Sequence, residues 1–338
     1  MHFFSDNAAS VHPSVWAAMQ AADSPDFAYD ADTLSRSLDE AFSALFGAPC
    51  TALWVATGTA ANCLALSAMV PPHGAVVCHR EAHIEMDEGG APGLFLHGAK
   101  LLLAQGEGGL LTPETILRRI TPIRPGVHQV QPHAISITQA SEQGRVYRPQ
   151  DVAAISALAR ARGLGLHMDG ARLANAIAHL DCTPAAVTVE AGVDALSFGF
   201  IKNGGLSAEA MVFFDPALAE RVRFARKQSG HLQSKGRYLA AQILALLEHD
   251  QWLANARAAN AAAQELAGAC AGRLIEPVEA NELFVILSEP EKTALRGAGF
   301  DFYDWPAPQG APGAARLVTA WNSDPVHVAA LARAIANL

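Results

Sequence analysis

Lys202 stands where the run DALSFGFIKNGG (194–205), apolar and β-prone, breaks at once into Asn203, Gly204 and Gly205. Surface lysines usually sit among other charges, whereas this one follows Phe200 and Ile201. An amine held partly out of water gives up its proton more readily and becomes a usable nucleophile, able to form a Schiff base with an aldehyde. Asp169 ends another apolar run, LGLHMD, and is followed by Gly170, Ala171 and Arg172. A carboxylate at a buried strand end is costly unless a cation or several donors answer it. Two readings stand side by side: an Asp169–Arg172 ion pair or a cap on the helix ARLANAIAHL, or Asp169 facing a ligand cation and Arg172 a ligand anion. Upstream, ALWVA runs into TGTAAN, so Thr57, Gly58 and Thr59 open a helix whose first N–H groups point outward unpaired and favour an anion. Turns of this kind are also common as plain structure.

Taken together, an amine nucleophile, an anion-binding helix start and a carboxylate match the aldehyde, the phosphate and the protonated ring nitrogen of pyridoxal 5'-phosphate. Lys202, Gly58-Thr59 and Asp169 supply these in turn. His83, in CHREAHIEMDEGGAP, has a ring able to stack on a cofactor plane and an imidazole able to act as a base near neutral pH; a hydrogen-bonded loop histidine is the plainer alternative. His79 and His83 are four apart, but a metalloprotease helix needs Glu directly after the first His, where Arg80 stands, so no metal is expected. Arg316, opening RLVTAW, suits a substrate carboxylate through a bidentate pair or an ordinary edge-strand position in water. Arg223, Arg226, Lys227 and Lys235 form the one basic cluster, read either as a solvated helix face or as a phosphate clamp.

These residues need strands to hold them. Short apolar runs at 52–55, 75–79, 100–104, 134–138, 164–169, 194–200 and 210–214 alternate with helical patterns, which predicts an α/β chain: a mostly parallel seven-stranded sheet with helices on both faces. Ligands gather beyond the carboxyl ends of such strands. Leu34, Leu38, Phe42 and Leu45 share one helical face, with Thr33 placed to cap its first turn. Thr112-Pro113 and Arg148-Pro149 read as helix starts, and Gly163 as a helix end. A long alanine-rich helical stretch from about Tyr238 to Cys270, then strands at 281–287 and 316–321 and a final helix near 326–337, predict a smaller C-terminal α+β domain, 238–338, after a large domain, 1–237. The segment 289–315, rich in turn residues in its second half, reads as a loop-rich excursion.

The 338 residues are 51% apolar and 17% charged, with a net charge of −9. That balance fits a soluble globular protein, and the negative charge argues against a nucleic-acid partner. No apolar run approaches a membrane span, and MHFFSDNAAS lacks the basic and apolar regions of a secretory signal. Five scattered cysteines without CxxC spacing suit reduced thiols, so a cytoplasmic protein is expected.

The chain resembles the low-specificity L-threonine aldolases, within the β-eliminating lyase group of fold-type-I pyridoxal-phosphate enzymes. The likeness runs from FFSDN (3–7) and YDADT (29–33) through ATGTAAN, AHIEMDEGGAP, SITQASEQG, LHMDGAR, SFGFIKNGG and RKQSGHLQSKGR to EANELF (279–284) and ARLVT (315–319). It implies retro-aldol cleavage of L-threonine, L-allo-threonine and other β-hydroxy-α-amino acids to glycine and an aldehyde. It further implies that Lys202 carries the cofactor, Asp169 pairs with its ring nitrogen and His83 stacks on the ring. Thr57, Gly58 and Thr59 would hold the phosphate, with Lys227 and Lys235 contributed by a neighbouring subunit. Ser5, Arg172 and Arg316 would hold the amino-acid carboxylate, with Tyr29 reaching a partner's site in a homodimer or homotetramer. This sequence departs from the pattern in three places: Ile201 where many members have serine, Glu142 where some have a second active-site histidine, and Ser234-Lys235 about where relatives have a phosphate-binding arginine. His83, or a water near Glu142, is then the candidate base. A β-eliminating or serine-hydroxymethyl-transferring lyase would use the same residues. A non-catalytic regulator would need a DNA-binding module that is not seen.

Overall fold

A computed structural model covers residues 1–338. Its main sheet contains β1 (Thr51–Val55), β2 (Gly74–His79), β3 (Lys100–Ala104), β4 (Gln131–Thr138), β5 (Gly165–Gly170), β6 (Ala195–Phe198) and β7 (Glu209–Phe213), in the spatial order β1-β7-β6-β5-β4-β2-β3. Six strands run one way. Only β7 opposes its neighbours, pairing antiparallel with β1 and β6. Its amino end therefore lies among the carboxyl ends of the others, which brings Glu209 to the rim where ligands collect. A smaller antiparallel sheet orders β8 (Glu282–Ile286), β10 (Ala314–Val318) and β9 (Tyr303–Trp305) with β10 in the middle.

The predicted runs become these strands with ends shifted by a few residues. β6 stops at Phe198 because Gly199 and Phe200 already turn towards a short 3-10 segment, Ile201–Asn203. In the excursion 289–315 the first half is a helix, Glu289–Gly297, closed by a Ser288/Glu291 capping box, and the second half contributes β9. The cap at 33 also moves by one: Asp32 accepts from Ser35 N at 2.8 Å, and Thr33 is the first helical residue. Pro113 and Pro149 open their helices, and Gly163 ends one at φ 64°.

Two cores divide along one helix. The alanine-rich stretch is two helices, Arg237–Leu247 and Gln251–Ala269, separated where His249 and Asp250 adopt positive φ. Leu239, Ile243 and Leu246 pack into the large core beyond the predicted seam at 237/238, as do Trp252 and Ala256 on the next helix. Further along that helix, Ala263 and Leu266 pack with Phe3, Leu283 and Leu317 in the small core. The N-terminal residues belong there too: Phe3 N donates to Asp301 O, and Phe3 O accepts from Val318 N, both at 2.8 Å. No helix is long and apolar enough to cross a membrane, and all five cysteines are free.

Candidate active site

β1 ends at Val55, and the chain turns through Ala56 and Thr57 into the helix Gly58–Ser67. Thr57 caps it, its Oγ1 accepting from Ala60 N at 3.2 Å. A side chain at Gly58 would project into open space, so the backbone N–H groups of the first turn are reachable from the cleft. On β5, Asp169 is buried, its Oδ2 accepting from Asn62 Nδ2 at 2.8 Å and its Oδ1 from Ala171 N at 3.0 Å. Both donors are neutral. The Asp169–Arg172 pair, one of the two readings of this turn, is not formed, and the carboxylate is left to face the cleft.

β6 lies beside β5 with Ser197 opposite Asp169. The next residue but one, Gly199, packs so closely on the preceding turn that a Cβ would stand 2.6 Å from Ala171 O. Only glycine permits that approach, and it draws the Lys202 turn up against the Asp169 turn. Lys202 then lines a cleft of about 240 Å³ together with Thr57, Gly58, Thr59, His83 and Asp169. Six of the predicted residues are thus brought together. An anion-binding helix start, a buried carboxylate without a cation and a half-buried amine around one cleft fit a group bearing a phosphate, a basic ring nitrogen and an aldehyde.

His83 lies beyond β2 on a short helix, with Nδ1 3.0 Å from Glu88 Oε1. A carboxylate can only accept, so Nδ1 carries the hydrogen and Nε2 is left as an acceptor. The Glu88 contact raises the His83 pKa, and burial partly opposes it. The same Glu88 oxygen accepts from Asn62 Nδ2 at 2.9 Å, and Cys63 Sγ lies 3.4 Å from the other. Asn62 therefore links the carboxylate of Asp169 to the partner of His83 through buried hydrogen bonds. Asn62 and Glu88 carried no predicted role, although both lie inside motifs singled out above.

A second charged group adjoins the cleft. Asp6 forks the Nε–Nη2 edge of Arg172 at 2.8 and 3.0 Å and accepts from Asn281 at 2.9 Å. Burial works to raise the Asp6 pKa, but Arg172 and Lys202 hold it below the usual carboxylate range. Arg172 Nη1 is 3.2 Å from Glu282, and Glu282 in turn is 3.8 Å from Arg316. Arg316 is no solvated edge arginine. It lies between the rings of Tyr303 and Trp305, at 5.5 and 5.3 Å, with its Nε buried and unpartnered. Ser5 precedes Asp6, and its Oγ accepts from Asn7 N at 3.2 Å. The Glu142 pKa is pushed up by burial, while Lys202, Arg172 and His83 pull the other way, and Glu142 does not line the cleft.

Tyr29, Lys227 and Lys235 form an exposed group that does not line the cleft. Lys227 Nζ sits 4.3 Å over the Tyr29 ring, and Tyr29 pairs through its backbone with Lys235. The basic cluster is split: Arg223 is exposed beside Glu220, whereas Arg226 is buried 3.9 Å over the Trp54 ring and bonded to Asp30.

A family model for β-eliminating lyases matches residues 2–290. The chain is 43% identical to a low specificity L-threonine aldolase from a Pseudomonas species, covering 98% of this chain and 95% of that protein. It is 44% identical to one from Pseudomonas aeruginosa, covering 98% and 96%. The solved threonine aldolase of Leishmania major superposes with a TM-score of 0.93 at 27% identity, over 99% of this chain and 98% of that one.

Proposed function

The chain belongs to the β-eliminating lyase family, and from that premise we propose that it cleaves L-threonine, L-allo-threonine and related β-hydroxy-α-amino acids to glycine and an aldehyde, with pyridoxal 5'-phosphate as cofactor. It is a lyase. The observation that carries the reading is the meeting of Lys202, Asp169 and the Gly58-Thr59 helix start in one cleft. Lys202 would carry the cofactor's aldehyde, Thr57, Gly58 and Thr59 its phosphate, Asp169 its ring nitrogen and His83 a ring face. When bound, the cofactor supplies a sink for the electron pair released from a bond at the substrate's α-carbon.

The chain's own residues do the rest. Arg316, Arg172 through an Nη1 shared with Glu282, and the Ser5 hydroxyl would orient the substrate carboxylate and so fix which bond at Cα is turned for cleavage. His83 Nε2, free because Nδ1 is committed to Glu88, takes the β-hydroxyl proton. Glu142, held towards its protonated form by burial, would pass a proton to or from a water. Asn62 Nδ2 and Ala171 N keep Asp169 aimed by donating to one oxygen each, and neither brings a competing cation.

The exposed Tyr29–Lys227–Lys235 group supports a homodimer or homotetramer in which it completes a neighbour's phosphate site. The reading also keeps the protein in the cytoplasm, where its five free cysteines stay reduced. The test is Lys202→Ala. The variant is expected to lose the yellow absorbance of the loaded enzyme, borohydride fixation of the cofactor on this residue and nearly all release of glycine and aldehyde. Retained colour would remove Lys202 from its role, and release of ammonia and a keto acid by the parent enzyme would replace cleavage with β-elimination.

A further inference from the structure

Glu209 is an acidic residue at the head of an otherwise apolar strand, EAMVF, and it is buried. The reversed direction of β7 puts it at the cleft, opposite Val55 of β1, so it stands between the turn that opens at Thr57 and the turn that carries Lys202. It lines the same cleft as Lys202 and Asp169. Its Oε2 accepts from Phe200 N, at the entry to the lysine turn. A buried carboxyl costs several kcal/mol when unanswered, and nothing in the mechanism above uses it.

We propose that Glu209 is a positioning residue for Lys202: its carboxyl clamps the backbone of the lysine turn and, when ionised, sets the negative charge that the amine's protonated form faces. This rests on the assignment of Lys202 as the cofactor-carrying amine. The clamp has an evident need. Phe200 and Ile201 leave β6 before their N–H groups can join the sheet ladder, and Gly204 turns the chain at φ 102° two residues after Lys202. Without an acceptor under Phe200, the turn would have an unpaired buried donor at its start. The carboxyl faces Lys202 from its own turn and Asp169 from β5. Burial raises its pKa to about 8, the Phe200 and Ile201 N–H groups and Lys202 draw it down, and Asp169 adds to the rise. It therefore carries its charge mainly above about pH 8.

Glu209→Gln keeps the size and an acceptor oxygen but removes the charge; Glu209→Ala removes both. Each variant and the parent enzyme are loaded with pyridoxal 5'-phosphate, and the yellow absorbance is followed against pH. The rate at which the apoprotein captures the cofactor is measured alongside. For Glu209→Gln the spectral midpoint should fall by about one unit, because a lost anion makes the nitrogen on Lys202 give up its proton at lower pH. For Glu209→Ala capture should also slow by about tenfold, as the turn loses its anchor. A Gln variant whose titration superimposes on that of the parent overturns the electrostatic role. A folded Ala variant with parental capture overturns the clamp. Should Ala fail to fold by circular dichroism, the isosteric Gln still decides the first point. If the parent enzyme itself never turns yellow, it is the cofactor assignment that has failed.

Discussion

Replacing Glu88 with Gln tests the site at its least visible joint. The change keeps a carbonyl oxygen where His83 Nδ1 and Asn62 now find Oε1, at 3.0 and 2.9 Å, and removes only the charge. An opposite charge at that range moves a pKa by roughly 1–3 units. The His83 side chain is still 30% exposed, so the lower end applies: about one unit, or ~1.4 kcal/mol. The direction follows from the role. A base works when deprotonated, and Glu88 favours the protonated ring, so activity is lost as pH falls through a raised pKa. Glu88→Gln should move the acid limb of kcat/KM about one unit lower, while a weaker base reduces the plateau roughly threefold. Rates of glycine formation across the acid range, each normalised to its own plateau, give the limb. Titration of the His83 ring by NMR gives the pKa directly. If the NMR midpoint drops and the limb stays fixed, His83 is not the base; if neither moves, the Glu88 contact does not act on the ring.

Two further outcomes follow from other parts of the molecule. Arg316→Ala should raise KM for the amino acid by about tenfold with a smaller change in kcat, since the proposed role holds the carboxylate in ground and transition states alike; an unaltered KM would take Arg316 out of the site. His167 is wholly buried between Ser136 Oγ and Ser197 Oγ, at 2.9 and 3.0 Å, and burial pulls its pKa down from 6.5 to about 4. Between those values the unfolded chain binds the extra proton, so stability is complete above pH 6.5 and is lost as the pH falls towards 4, by up to about 3 kcal/mol. Urea midpoints at neutral and acid pH should differ less in a folded His167→Gln variant than in the parent, and parallel losses would point to other groups.

The strand ends were legible because their signals are local. An apolar run that breaks into glycine beside a charged residue is visible in a dozen residues and marks Lys202 and Asp169, while the run into Thr57-Gly58-Thr59 marks the helix start. What escaped depends on distance along the chain. Asn62 meets Asp169 across 107 positions, and Asp6 meets Arg172 across 166. The pairing of Arg172 was open between two readings, and its actual partners lie in the first ten residues and in the small sheet. Glu209 had the same kind of local signal as Lys202, a lone charge at the edge of an apolar run, but its significance depends on β7 running backwards. β9 was hidden for another reason: Tyr303–Trp305 is too short to show a period and is a strand only because β10 supplies its partner.

The opening residues act as a tether with both ends fastened. Phe3 is stitched into the small sheet, and within four positions Asp6 grips Arg172 and Asn7 reaches the cleft. So short a span of backbone has almost no slack. Any tilting of the small sheet must therefore tug on Asp6 and, through it, on the Arg172 guanidinium, making this arginine's orientation a gauge of how the two halves of the molecule are seated.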